Sequence, residues 1–112
     1  MYWNIKEIEA SELAQWLEQK EGAFRVIDVR QPAEIAAGTI PDTEPLPLTS
    51  LPMRLNEFEK DQELVLICHS GARSAQACMF LQQQGIENVY NLRGGMLSWA
   101  ANGLPAPLPQ AM

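Results

Sequence analysis

Leu64-Val65-Leu66-Ile67 runs without a polar break into Cys68. A strand with one solvated face alternates apolar and polar residues. A run this uniform requires cover on both faces, the situation of a central strand in a parallel sheet. The next residues narrow the possibilities further. The short loop beginning at His69 contains Gly71, Ser74 to Gln84 is helical by composition, and Gly85 closes that helix. The segment therefore reads as buried strand, tight loop, helix.

The flanking sequence repeats the alternation. Tyr2 to Ile5 reads as a short first strand. Ser11 is the expected N-cap of a helix carrying Leu13, Trp16 and Leu17 on one face, with Glu12 in its first turn and Gly22 at its end. Phe24 to Val29 reads as a buried strand, and Pro32 to Ala37 as a short helix followed by Gly38. Ile40 to Pro52 holds Pro41, Pro45, Pro47 and Pro52, which allow an extended or turning path with at most an edge strand. Met53 to Glu59 reads as one or two helical turns, Val89 to Leu92 as a strand and Gly95 to Asn102 as a last helix before Gly103 and Pro105. The sum is an α/β domain with a mostly parallel sheet and helices on both faces. Residues 1–104 form the expected single domain, and the proline-rich tail, 105–112, is expected to be loosely ordered.

Charge and cysteine content restrict the partners. With 8 Lys plus Arg against 14 Asp plus Glu, the net charge of -6 repels a polyanion, so nucleic acid is not expected. An anion site has to be built by local geometry against that field. Met1 to Ala10 lacks a basic start followed by an apolar run, and Leu64 to Cys68 is too short to span a bilayer. No membrane partner is expected, and a reducing cytoplasmic setting is, where Cys68 and Cys78 remain free thiols. His69 beside Cys68 has the wrong spacing for a common zinc motif, so no metal is expected.

Chemistry concentrates at Cys68. Open α/β sheets place their sites at the carboxyl ends of strands, beside helix N-termini. Unpaired N–H groups of the loop and first helical turn favour negative charge on the sulfur, and Arg73 adds a cation. The thiol pKa is therefore expected to be lowered. An isolated cysteine at a strand end is usually a small buried hydrophobe. The strand before and the helix after supply the context that a functional reading needs.

Cys68-His-Ser-Gly-Ala-Arg73-Ser74 resembles the active-site loop of rhodanese-homology domains. Asp28 to Ile40 is similar to that family's Asp-Val-Arg segment, with Thr39 where many members carry His. Gly85 to Pro105 is similar to its C-terminal signature, with Gly94-Gly95 and Trp99 in place. After Ile40 the chain departs from the family's Pro-Gly-Ala and following strand. The resemblance spans nearly the whole chain. It implies a rhodanese-like fold, a central mostly parallel sheet of about five strands, and a sulfurtransferase of the thiosulfate type.

The same resemblance implies the chemistry. Cys68 is the nucleophile and carries sulfur as a persulfide; no metal or organic cofactor is required. Arg73 and the amides of His69, Ser70, Gly71, Ala72 and Ser74 are the expected substrate-binding groups. The donor is thiosulfate or a persulfide, and the acceptor is a thiol or a thioredoxin-like protein; a relay module passing sulfur from one protein to another is the alternative. Related phosphatases and arsenate reductases use Cys-x5-Arg, whereas this loop is Cys-x4-Arg. A smaller ring of amides makes a narrower cradle, which suits a persulfide better than a tetrahedral oxyanion.

Other residues have plainer expectations. Asp28 and Arg30 are supporting residues at the end of the second strand; Asp28 either faces the pocket or binds loop amides. Glu34 is expected to pair with a nearby cation such as Arg30. The His69 side chain is expected to point away from the sulfur, and Ser74 to cap its helix. Cys78 is expected in the core, and Trp3, Trp16 and Trp99 in core or rim packing. Met96 and Leu97 are placed at the rim.

Overall fold

The computed structural model describes residues 5–19 and 23–109. In chain order these residues form β1 (Lys6–Ile8), α1 (Ala10–Gln19), β2 (Phe24–Asp28), α2 (Pro32–Ala36), β3 (Glu44–Pro45), a 3₁₀-helix (Leu48–Glu57), β4 (Glu63–Ile67), α3 (Ala72–Gln83), β5 (Val89–Leu92) and α4 (Gly95–Ala101). The five strands make one parallel sheet in the order β1-β5-β4-β2-β3. The apolar run at 64–67 lies in the central strand, as its composition requires.

Alternate residues of β4 enter two separate cores. Leu64, Leu66 and Cys68 pack with Ala77, Cys78 and Leu81 of α3 and with Leu51 of the 3₁₀-helix. Val65 and Ile67 pack with Leu13 of α1 and Trp99 of α4. Helices therefore cover both faces. The short edges of the sheet limit exposed pairing groups; β3 has only two residues, and Pro45 is one of them. Trp16 meets Phe24 and Tyr90 edge-on, closing the rim of the second core.

The chain runs outward from β2 to β3, then returns past β2 to β4 and continues outward the other way to β5. The strand order thus reverses between β2 and β4, whose ends meet where Asp28 pairs with Ile67. A crevice opens at the carboxyl ends of strands at such a point.

Several boundaries differ from the sequence reading. The first strand is Lys6–Ile8, because its register is set by β5: Lys6 lies opposite Tyr90 and Ile8 opposite Leu92. Tyr2, Trp3 and Gly22 lie outside the described residues. α1 begins at Ala10, so Ser11 is inside it, and Glu9 N donates to Glu12 Oε1 across the first turn. The 3₁₀-helix starts at Leu48, earlier than expected, and contains Pro52; it is anchored by the fully buried Leu51. The tail is held at two points. Pro105 O accepts from Trp99 Nε1 at 2.8 Å, and Pro107 O accepts from Thr39 N at 3.1 Å.

Candidate active site

Cys68 directly succeeds the last residue of β4, and Gly71 precedes the first residue of α3. His69 and Ser70 complete the strand-to-helix turn between them. Gly71 has φ of 101°, a left-handed conformation that a side chain would strain. That turn brings its N–H to within 3.0 Å of Cys68 Sγ. Ser74, in the first turn of α3, places its hydroxyl 3.3 Å from the same sulfur.

The loop amides face inward partly because α4 holds the loop carbonyls. Met96 N donates to Cys68 O at 2.9 Å, and Leu97 N donates to His69 O at 3.1 Å. This contact needs Gly95: a Cβ there would lie 2.5 Å from Cys68 O and 2.6 Å from His69 O. Asn91 in β5 supports the loop from the other side, donating through Nδ2 to Gly71 O at 3.1 Å. Its Oδ1 accepts a hydrogen bond from the Ser74 hydroxyl.

Cys68 is 1% exposed. Burial pushes its thiol pKa up. The Ser74 hydroxyl and the amides of Ser74, Gly71 and Ser70 more than offset burial, and the net shift is downward. The sulfur is enclosed but its surroundings favour the anion. Cys78, in the same core, is lowered by no such donors; burial pushes it up to about 12. It packs among apolar residues as a neutral thiol.

The remaining expected site residues separate into two groups. Ser70, Gly71 and Ser74 direct groups at the sulfur. His69 and Ala72 are exposed in the loop and at the helix start. Arg73 is bound in bidentate fashion by Glu34 of α2, at 2.7 and 2.8 Å, with both side chains 34% exposed. The Glu34 carboxylate therefore pairs with Arg73, while Arg30 reaches only the Glu34 main-chain carbonyl, at 3.4 Å; the Arg73 hydrogen bonds hold the carboxyl down at about 2. Arg73 remains within electrostatic reach of Cys68.

One expectation fails here. Ser74 does not cap α3, because the helix begins at Ala72 and the hydroxyl is turned to the sulfur and Asn91. Asp28 takes the structural alternative and binds an amide of the loop that follows it, that of Arg30. Its fully buried carboxylate receives the Arg30 guanidinium at 2.8 Å, the Arg30 main-chain N–H at 3.1 Å and the Thr39 hydroxyl at 2.9 Å. Arg30 continues to Gly38 O at 2.7 Å, so this cluster ties the loop after β2 to the start of the next segment. Met96 packs into the second core, whereas Leu97 is exposed beside the loop.

The sequence reading missed Asn91. Its signal was a polar residue on the Val89 side of a short apolar strand, the side that faces α3. Burying an amide there requires partners, and the loop provides them.

The site is thus a six-residue loop from Cys68 to Arg73, with amides converging on a sulfur at a strand end. The family profile described as a rhodanese-like domain matches residues 9–102. The chain belongs to this family. A sulfurtransferase of Allochromatium vinosum is 47% identical over 106 residues, covering 95% of this chain and 98% of the relative. A thiosulfate sulfurtransferase GlpE of Pseudoalteromonas translucida is 37% identical over 90 residues, covering 80% and 86%. The crystal structure of a rhodanese-related protein from Thermoplasma volcanium superposes with a TM-score of 0.82 at 34% identity, covering 93% of this chain and 99% of that one. These relatives support a rhodanese sulfurtransferase. No helix among the described residues of this rhodanese-like chain is long and apolar enough to cross a membrane.

Proposed function

We propose that this rhodanese-like protein moves sulfane sulfur from a small donor to a thiol acceptor through a persulfide on Cys68. The observation that carries the reading is the Cys68 sulfur, favoured as an anion by three main-chain amides and the Ser74 hydroxyl. The thiolate attacks the outer sulfur of thiosulfate. A new S–S bond forms, the old one breaks, and its electron pair leaves with sulfite. The negative charge then rests on the outer persulfide sulfur. An acceptor thiolate attacks that sulfur and takes it, and the electron pair of the breaking bond returns to Sγ. Atoms and charge balance without a metal or organic cofactor. Cyanide serves as the acceptor in an assay; a cellular thiol or a thioredoxin-like protein serves in a reducing cytoplasm.

A persulfide donor, delivered by a small thiol or another protein, is the second reading. It is favoured by the Glu34–Arg73 pair. A guanidinium already matched by a carboxylate attracts a dianion such as thiosulfate less than a free one does. Cys-based phosphate or arsenate chemistry is disfavoured by the narrow loop.

Mass spectrometry after thiosulfate or persulfide treatment tests the reading. The expected result is a gain of one sulfur atom, lost in Cys68→Ser and retained in Cys78→Ser. Absence of the adduct with both donors would remove the proposal.

A further inference from the structure

The Ser74 hydroxyl faces two acceptors. Its Oγ lies 3.3 Å from Cys68 Sγ and donates a hydrogen bond to Asn91 Oδ1. A serine hydroxyl has one proton and cannot donate to both at once. Asn91 cannot rotate to relieve the conflict. Its Nδ2 donates to Gly71 O at 3.1 Å and to Glu7 Oε2 at 3.3 Å, which leaves Oδ1 as the acceptor turned to Ser74. Cys68, Ser74 and Asn91 are all buried, where an acceptor without its donor is unfavourable.

We propose that Asn91 is a positioning residue that acts on Cys68 through Ser74, competing with the sulfur for a single hydroxyl proton. The idea rests on Cys68 as the sulfur carrier. With Cys68 as a thiol, its S–H donates to Ser74 Oγ and the Ser74 O–H donates to Asn91 Oδ1. Ionisation removes the S–H proton. The hydroxyl then turns to the thiolate, and Asn91 Oδ1 loses its donor. That loss offsets part of the stabilisation Ser74 gives the anion. The thiolate stays more basic than the loop and Ser74 alone would make it, and a more basic thiolate is the stronger nucleophile.

The hydroxyl tracks the charge through both half-reactions. Once a sulfur is added, the charge sits on the outer atom and Sγ is a neutral divalent sulfur. The hydroxyl returns to Asn91. When the acceptor takes the outer sulfur, Sγ regains the electron pair as a thiolate and the hydroxyl turns to it again. No proton leaves the three residues in either swing. Asn91 thereby balances the two steps: it weakens the resting thiolate's hydrogen bond and accepts the hydroxyl in the loaded form.

A double-mutant cycle of Asn91→Ala and Ser74→Ala separates this role from support of the loop. The readout is the pH midpoint of thiolate ultraviolet absorbance, with Cys68→Ser as the blank; Cys78 stays protonated through the range. The titratable and charged groups near the three residues are Glu7 on β1, Asp28 on β2, Arg73 and Cys78 on α3, and His69 in the loop; the cycle replaces none of them, and the Nδ2 contact that Asn91→Ala takes from Glu7 is lost in both Ser74 backgrounds, so it drops out of the coupling. Asn91→Ala is expected to lower the midpoint by about one pH unit or less, and Ser74→Ala to raise it. Added to Ser74→Ala, the Asn91 change is expected to move it no further. A rise on Asn91→Ala, or an equal shift in both backgrounds, would overturn the proposal, since an Asn91 that only holds Gly71 acts without Ser74. Asn91→Val makes the same test with a strand-favouring side chain if the alanine variant fails to fold. A Cys68 that ionises with these shifts yet takes up no sulfur would count against the sulfurtransferase reading alone.

Discussion

At the scale of single residues, the setting of the Cys68 sulfur depends on groups that do not touch it. Gly95 is the clearest case. It has φ of 58°, and a Cβ there would run into two carbonyl oxygens of the Cys68 loop. Gly95→Ala is expected to destabilise the protein by on the order of 3 kcal/mol through backbone strain and displacement of the loop. Urea denaturation measures this, and a loss within experimental error would show that the loop and α4 separate easily. The sequence displayed Gly94-Gly95 but not its role, because a glycine pair has no side chain to announce what approaches it. Cys68 and Gly71 were legible from the strand, loop and helix around them. Asn91 was not, because its importance lies in partners far along the chain: Glu7, Gly71 and Ser74.

At the scale of elements, α2 and α3 are joined across the crevice by Glu34 and Arg73. The carboxyl is lowered from 4.5 to about 2 by the Arg73 hydrogen bonds first and the Gln31 amide next. A carboxyl with a depressed folded pKa contributes stability that is complete above 4.5 and is lost as pH falls through about 2. Both side chains are 34% exposed, so solvent screening limits the contribution to about 1 kcal/mol or less. Urea midpoints between those pH values should fall less steeply in Glu34→Gln than in the parent. The same variant keeps an acceptor for the Gln31 N–H while freeing the Arg73 charge. Its KM for thiosulfate should drop several-fold in steady-state assays at low salt, and an unchanged KM would place Arg73 outside the donor's path. The sequence reading expected a nearby cation for Glu34 and offered Arg30, four residues away, as an example; the cation is Arg73, and the fold gives the Arg30 guanidinium to the buried Asp28.

At the scale of the molecule, the tail completes the domain. Removing residues 105–112 would deprive Trp99 Nε1 and Thr39 N of their acceptors, Pro105 O and Pro107 O. Each newly unpaired donor costs about 1–3 kcal/mol where solvent cannot replace the bond. Truncation after Leu104 is therefore expected to lower the thermal midpoint by several degrees, which differential scanning calorimetry would register. The chain's own pattern specified a parallel α/β domain, its doubly covered central strand, and Cys68 at that strand's end. These arise from local features: apolar runs, glycines, prolines and the spacing of residues along one segment. It did not specify the strand order that sets β2 beside β4, the carbonyl clamp from α4, the exchange of partners among Asp28, Arg30, Glu34 and Arg73, or the course of the tail. Those are decided by contacts between segments distant in sequence, whose energies depend on the register and direction that appear only when all five strands have assembled.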